Sequence, residues 1–289
     1  MSHLIPAAAM ERYTAAPSPT TVTAVQSLHT SIRATLGDRY ETLLQGSYKN
    51  DTSIPDLNDV DIVAIRRWTT SSVFTGVPAI NPISWETILD EVQRTLEGSH
   101  LYRGKTEKRD KCINVATGFN ADVVPAIAIT NIAIDPIAIF SRGAGTERKN
   151  FPREHYQHGV EKHQNTSQRF KPTVRMFKRW VANTFTDDSI APSFYVECLI
   201  YNFVDAAFYA DTAQRFVHCA SVITGLNYAA QRIMTVAGDK DIFVDSEWNS
   251  IRFETFRRQL AVALEYARRA LAAPTEGDAL RAWRRVFNE

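Results

Sequence analysis

The chain has 289 residues, of which 44% are hydrophobic and 22% are charged, and its formal net charge is +1. This balance is typical of a folded globular protein, and it argues against the basic surplus of proteins that grip duplex nucleic acid. The 3 cysteines are widely spaced and form no CxxC pattern, so we expect no zinc ribbon and no redox motif. We find no secretion signal and no apolar run near the length of a membrane span, and we therefore expect a cytoplasmic protein.

The first half of the chain mixes helix and strand patterns. Residues 1–19 are rich in Ala, Pro, Ser and Thr, and we expect them to lie loosely. Apolar residues then recur at helical spacing from Val22 to Leu36, before Gly37. Strand patterns cover residues 40–44, 60–65, 112–116 and 121–129, with a polar loop after Ser47 and a helix over 85–96 that Ser84 caps.

After about residue 150 the strand patterns fade and helical periodicity dominates. The predicted helices are 167–185, 192–210, 211–228, 250–272 and 275–287. Asp211, Ser250 and Thr275 are the expected caps. The sequence therefore predicts an α+β protein of two lobes: residues 1–150 form a mixed-sheet core with an N-terminal helix, and residues 151–289 form a helical lobe.

Asp59 and Asp61 stand two residues apart at the start of a predicted strand. Alternation along a strand puts both carboxylates on one face, and their neighbours Val60 and Ile62 on the other. Two like charges held this close repel each other unless a cation lies between them, and hard carboxylate oxygens suit Mg²⁺. A third acid, Asp122, opens a later strand, and three such carboxylates can hold two metal ions for an in-line phosphoryl displacement.

Gly46 and Ser47 make the acidic pattern more specific. A lone Asp-x-Asp is usually a solvated strand end. Gly46 lets the backbone approach a ligand, and Ser47 offers a hydroxyl and a main-chain N–H to a phosphate. A nucleotidyltransferase site is indicated by the combination of three features: Gly-Ser after a strand, then Asp-Val-Asp-Ile, and then a distant strand that begins with Asp.

The helix near Phe170 carries a basic stripe beside its apolar face. Lys171, Arg175 and Lys178 fall at i, i+4 and i+7, and three adjacent cations indicate an anionic partner such as a Mg²⁺-bound nucleoside triphosphate. An ordinary solvated basic face is the alternative. Ser193 then lies in the first turn of the next helix, where free N–H groups attract anions, although it could merely help to cap that helix.

Taken together, these segments resemble the CD-NTase family, the bacterial relatives of cyclic GMP–AMP synthase and oligoadenylate synthase that act in antiphage signalling. The resemblance is carried by residues 46–52, 59–62, 121–126, 170–180 and 193–197. The acidic motif is shared by the whole polymerase-β-like superfamily. The Lys-Arg-Trp helix followed by Pro-Ser-Phe narrows the match.

The resemblance implies a nucleotidyltransferase core with a helical second lobe. It implies two Mg²⁺ ions, with Mn²⁺ as a substitute, on Asp59, Asp61 and Asp122. Donor phosphates and base would be held by the remaining predicted ligands: Gly46, Ser47, Lys171, Arg175, Lys178, Ser193 and Phe194, the last by stacking. The substrates would be NTPs, ATP among them, and the cyclic product would act on a downstream effector. No duplex nucleic acid is implied, and the resemblance allows for a regulatory protein partner.

Two alternatives stay open at this point. One is a nucleotidyltransferase with a non-cyclic product or a macromolecular acceptor, and the other is a catalytically inactive nucleotide-binding relative. The sequence does not decide whether Arg109, Lys111 or Asn165 touches the ligand, nor whether the product is a di- or a trinucleotide.

Overall fold

The chain divides into two compact units in a computed structural model that describes residues 3–55, 59–130, 135–244 and 248–289. The sheet unit comprises Pro17–Asn50 and Asp56–Tyr156, and the helical unit comprises Met1–Ala16, Asp51–Pro55 and Gln157–Glu289. The sequence-based division at residue 150 differs from this one in residues 1–16 and 51–55, which group with the helical unit, and in residues 151–156, which group with the sheet unit.

The strands, in chain order, are β1 (Tyr40–Gln45), β2 (Asp59–Thr70), β3 (Thr106–Lys108), β4 (Ile113–Ala116), β5 (Asn120–Ala128), β6 (Ile137–Ser141) and β7 (Thr146–Asn150). The α-helices are α1 (Ala7–Thr14), α2 (Pro19–Leu36), α3 (Gly46–Asn50), α4 (Trp85–Gly98), α5 (Pro152–Asn165), α6 (Phe170–Thr184), α7 (Ser193–Tyr201), α8 (Thr212–Thr224), α9 (Ser250–Leu271) and α10 (Glu276–Val286). None of the described helices is both long enough and apolar enough to cross a bilayer.

One mixed sheet organises the sheet unit. Its main path runs β1-β2-β5-β4-β3, and β6 pairs with both β5 and β7. β2 and β5 are parallel, whereas the other pairs of these seven strands are antiparallel. β3, β6 and β7 are absent from the sequence prediction, since all three strands are short and β7 carries no apolar alternation.

The two faces of the sheet bury different residues. Val60 and Ile62 of β2 and Val123 of β5 are fully buried with apolar side chains of α2 and α4. The opposite face buries a smaller cluster that includes Val63 and Ile65. The predicted alternation along β2 is confirmed, because Val60 and Ile62 are 0% exposed whereas Asp59 is exposed and Asp61 is intermediate.

The helical unit has an aromatic core. Phe177 stacks on Phe216 with ring centroids 4.9 Å apart, and Trp180 meets Phe256 edge to face at 5.5 Å. Residues 7–14 belong to this core, so the prediction of a loose N-terminus was wrong there. Helix α1 buries Met10 and Tyr13 in this core, and this tertiary packing stabilises a helix of 8 residues that would be marginal in isolation.

Several helix ends follow their predicted caps. The side chains of Ser84, Asp211 and Thr275 each accept a hydrogen bond from a backbone N–H in the first turn. Helix α9 is an exception: Asn249, not Ser250, caps it by accepting from the N–H of Arg252.

Parts of the predicted helix assignment were wrong. The helix predicted over 192–210 stops at Tyr201, because the side chain of Asn202 donates to the carbonyls of Cys198 and Met234 and competes with helix continuation. Residues 48–50, predicted as the start of a polar loop, belong to the short helix α3. Residues 152–165, which carry no predicted element, form α5.

Candidate functional site

The predicted acids occupy the start of the parallel strand pair in the sheet unit. Asp61 of β2 is the register partner of Asp122 of β5, and Asp59 pairs with Asn120. Gln45 of β1 flanks Asp61 on the outer side. Neighbouring strands lie about 4.8 Å apart, so the register brings Asp61 and Asp122 side by side, with Asp59 two residues away on the same face.

Asp122 is surrounded by residues from β4 and the segment leading into it. The side-chain amide of Asn114 donates to Oδ1 of Asp122 over 2.8 Å, and Arg109 Nη1 lies 3.7 Å from the same oxygen. Burial raises the pKa of the Cys112 thiol to about 12, and the Asp122 carboxylate beside it adds to this effect. The Cys112 thiol therefore stays protonated at neutral pH.

Asn114 and Cys112 are residues that sequence reasoning missed. In the predicted strand 112–116 their two-residue spacing places them on one face, but the sequence does not show which strand they pair with. The antiparallel register of β4 with β5 is what aligns Asn114 with Asp122. Arg109, whose place the sequence leaves open, reaches Asp122 with its guanidinium. Lys111 is exposed.

Gly46 fits closely against the second acid. Its φ is +68°, in the left-handed region that favours glycine, and a Cβ built on it would lie 2.1 Å from Oδ2 of Asp61. Any side chain at position 46 would therefore displace the Asp61 carboxylate. Gly46 and Ser47 begin helix α3 directly after β1, which places the predicted phosphate-binding pair beside the acids.

The donor chemistry of the three aspartates fits a hard divalent cation. Their carboxylate oxygens are the ligands that Mg²⁺ prefers. In the part of the chain that the structure describes, no three His, Cys, Asp or Glu side chains are gathered into a group that could hold a metal ion. The register of β2 with β5 is what aligns the aspartates on one face of the sheet.

In the helical unit, Lys178 forms a buried ion pair. Its ammonium lies 3.0 Å from Oε2 of Glu197 and 3.1 Å from the hydroxyl of Thr52, which itself donates to Glu197 over 2.7 Å. The side chains of Lys178 and Glu197 are only 3% and 4% exposed. This cluster ties residues 51–55 to helices α6 and α7.

Lys171 and Arg175 are buried as well, so the alternative of a solvated basic face was wrong. Arg175 donates to the carbonyls of Thr14 and Asp51, and both cations approach the Asp51 carboxylate, Arg175 at 3.5 Å and Lys171 at 3.9 Å. Protein groups therefore already supply an anionic partner to this stripe. Its contact with a triphosphate stays a prediction.

Ser193 and Phe194 lie in the first turn of α7. Pro192 is the N-cap, and its side chain makes no capping hydrogen bond. Phe194 is 41% exposed and meets Tyr195 edge to face, with ring centroids 5.4 Å apart. An exposed aromatic ring is the kind of surface on which a base stacks, but that role too stays a prediction.

Comparisons with known proteins agree with this architecture. Residues 157–265 match the model of the cGAS/DncV-like nucleotidyltransferase C-terminal helical domain. The chain is 28% identical to a cyclic UMP-AMP synthase from Rhodothermus marinus (strain SG0.5JP17-172), over 89% of this chain and 96% of the relative. It is 27% identical to a cyclic AMP-AMP-AMP synthase from Acinetobacter sp. (strain ATCC 27244 / 9458), over 94% of this chain and 80% of that protein.

A solved structure shows the same fold. The Rhodothermus marinus CdnE c-UMP-AMP synthase, determined with Apcpp and Upnpp, is similar with a TM-score of 0.72 and 26% identity. The similarity covers 89% of this chain and 95% of that one. The mixed-sheet core and the helical C-terminal region predicted from the sequence are both confirmed by this likeness.

We predict that Gly46→Ala disrupts the acidic site. The new Cβ would push the Asp61 carboxylate aside, and a displacement of about 1 Å at a reacting centre can lower a rate about a hundredfold. Gly37→Ala is the matched control, because Gly37 also has a positive φ of +65° but a Cβ at that position would meet nothing within 4 Å. Both variants should lose about 1–3 kcal/mol of stability in urea unfolding, because each puts a Cβ on a backbone with positive φ, whereas only Gly46→Ala should weaken Mn²⁺ binding. Equal Mn²⁺ affinity in the two variants would contradict the close fit at Gly46.

The buried Lys178–Glu197 pair predicts a second stability effect. Lys178→Met and Glu197→Leu should each lower the free energy of unfolding by about 3–5 kcal/mol, since each leaves one buried charge without its partner. The double variant should recover most of that loss. Urea unfolding followed by helical circular dichroism measures all three, and strictly additive losses would rule out coupling between the two side chains.

Proposed function

We propose that this chain, which belongs to the CD-NTase family, is a nucleotidyltransferase that joins NTPs into a cyclic di- or trinucleotide second messenger for antiphage signalling. The observation that carries the proposal is the register of β2 with β5, which sets Asp61 beside Asp122 with Asp59 on the same face. The Rhodothermus and Acinetobacter relatives, both named as cyclic nucleotide synthases, support it.

The reaction begins when a ribose hydroxyl attacks the α-phosphorus of a bound NTP. A P–O bond forms to that hydroxyl oxygen, the bond from the α-phosphorus to the bridging oxygen breaks, and pyrophosphate leaves. Asp122 is our candidate for accepting the hydroxyl proton, because it is the acid on the neighbouring strand and its carboxylate is oriented by Asn114. A second transfer within the same molecule closes the ring.

Asp59, Asp61 and Asp122 are the residues that would hold Mg²⁺. When bound, two such ions would lower the pKa of the attacking hydroxyl and neutralise charge on the leaving pyrophosphate. The carboxylate chemistry and the strand register support this assignment. Mn²⁺ has the same preference for oxygen ligands and serves as a probe.

The phosphate-binding roles are proposed separately for the two units. In the sheet unit, Gly46 and Ser47 would hold donor phosphates through backbone N–H groups close to Asp61. In the helical unit, Ser193 and Phe194 lie on the first turn of α7, where a phosphate and a base could reach them.

The three cations of α6 are buried against protein carboxylates. For Lys178, Lys171 and Arg175, binding a triphosphate would therefore require an anion to share or displace Glu197 or Asp51. The energetic cost of leaving a carboxylate without its cation makes sharing the favoured arrangement. Their proposed role is to supply positive potential and to hold the segment 51–55 in place.

ATP is proposed as one of the substrates, since both relatives are named for products that contain AMP. One relative is named for a dinucleotide and the other for a trinucleotide. The number of bases in the product of this chain is therefore best determined directly from its mass.

We predict that the purified protein, incubated with the four labelled NTPs and Mg²⁺ or Mn²⁺, makes a phosphatase-resistant cyclic product, and that EDTA abolishes it. Asp61→Asn should lower turnover at least about a hundredfold, because metal stabilisation of the transition state is worth several kcal/mol and each 1.4 kcal/mol is tenfold in rate. Mass spectrometry of the product gives its size and bases.

Asp38→Asn is the matched control, since Asp38 is an exposed acid of the sheet unit in the turn before β1 and should keep wild-type turnover. If phosphatase degrades the product, the product is linear, and the proposal of a cyclic product is wrong. Turnover that survives Asp61→Asn would overturn the assignment of the site, and a wild-type chain that consumes no NTP would identify an inactive relative.

A further inference from the structure

Beyond the three aspartates, we infer that Asn114 is a positioning residue for the transfer reaction. Its side-chain amide holds Oδ1 of Asp122 from the β4 side and thereby orients the carboxylate that would share a cation with Asp61 and take the hydroxyl proton. The inference rests on the proposed function, because it assigns Asn114 a role at the same site.

The position of Asn114 is fixed by the sheet. Asn114 and Asp122 are direct partners across the antiparallel β4–β5 ladder, and such partners have Cβ atoms about 4.5–5.5 Å apart. The short asparagine side chain spans that gap and puts Nδ2 2.8 Å from Oδ1. Asn114 is only 4% exposed, so water cannot readily replace this bond.

Asp122 lies between two neighbours of opposite effect. On the β2 side it faces the like charge of Asp61, and on the β4 side it meets the amide donor of Asn114, with the Cys112 thiol as a further, weaker hydrogen-bond partner. The amide attracts one carboxylate oxygen while Asp61 repels the group as a whole. Together they restrict rotation of the Asp122 carboxylate before any cation or nucleotide binds.

A neutral amide suits this role better than a cation would. A lysine or arginine at position 114 would neutralise Asp122 and compete with a divalent ion for its charge. Arg109 does approach the same Oδ1, but at 3.7 Å and with 49% of its side chain exposed, so solvent screens the pair. Asn114 therefore orients Asp122 without reducing the negative charge that the site needs.

The test compares variants of Asn114 that separate hydrogen bonding from packing. Asn114→Leu keeps the branched shape and the number of side-chain heavy atoms and removes the donor, whereas Asn114→Ser loses volume and keeps a hydroxyl donor. Mn²⁺ affinity is measured by electron paramagnetic resonance on the folded protein without nucleotide. We expect Asn114→Leu to bind Mn²⁺ about 10–100-fold more weakly and Asn114→Ser to be affected less. A residue that only fills space would give the reverse order.

Steady-state kinetics at saturating Mn²⁺ provides the second measurement. Asn114→Leu should lower kcat with little change in the KM for NTP, because Asp122 acts on the reacting hydroxyl and not on the donor tail. Asn81→Ser is the matched control: the Asn81 amide makes an equally short 2.8 Å bond, but to the carbonyl of Trp68. It should match the wild type in both assays.

The outcomes distinguish the inference from the function on which it rests. If Asp122→Asn leaves Mn²⁺ affinity unchanged, the proposed metal site is wrong. If Asp122→Asn weakens Mn²⁺ binding but Asn114→Leu does not, only the positioning role of Asn114 is overturned. Should Asn114→Leu fail to fold by circular dichroism, Asn114→Ala replaces it, and equal Mn²⁺ affinity for Ala and Ser variants overturns the role.

Discussion

The site of this protein depends on the parallel pairing of β2 with β5. A one-residue slip in that ladder would turn Asp122 away from Asp61 and put Val123 in its place. The slip is prevented by the apolar side chains of the other face, since Val60, Ile62 and Val123 are all fully buried. The same strand register therefore buries the apolar face of the sheet and aligns the acids on the other face. The alignment of the proposed catalytic acids therefore depends on the packing of the hydrophobic core.

The groups around Asp61 and Asp122 orient carboxylates that lie close together in the sheet unit. Asp59, Asp61 and Asp122 repel one another, so an acidic face of this kind needs groups that orient the carboxylates without cancelling them. Asn114 does this with an uncharged donor, and Gly46 does it by leaving only enough room for the Asp61 carboxylate. Both are small residues at fixed backbone positions, and the geometry of the acids follows from those positions.

In the helical unit, the buried cations of α6 are paired with carboxylates of the same chain. The basic stripe of α6 is expected from the sequence to meet an anion, and the chain itself provides anions in Asp51 and Glu197. Removing a charge from water is costly unless a partner of opposite sign is close, which explains why Lys178 and Glu197 are buried together with the hydroxyl of Thr52. This pairing holds residues 51–55 against α6 and α7. A triphosphate that bound there would have to share the cations with Asp51 and Glu197.

Local patterns in the sequence were enough to predict the alternation along β2 and the caps at Ser84, Asp211 and Thr275. They also singled out the three aspartates as candidate metal ligands. Each of these follows from residues within a few positions of one another, where period and side-chain chemistry suffice. Tertiary structure alone decided that Asn114 and Arg109 meet Asp122, that Lys178 pairs with Glu197, and that α1 is buried. Those contacts depend on strand register and on packing between distant segments, which no local periodicity encodes.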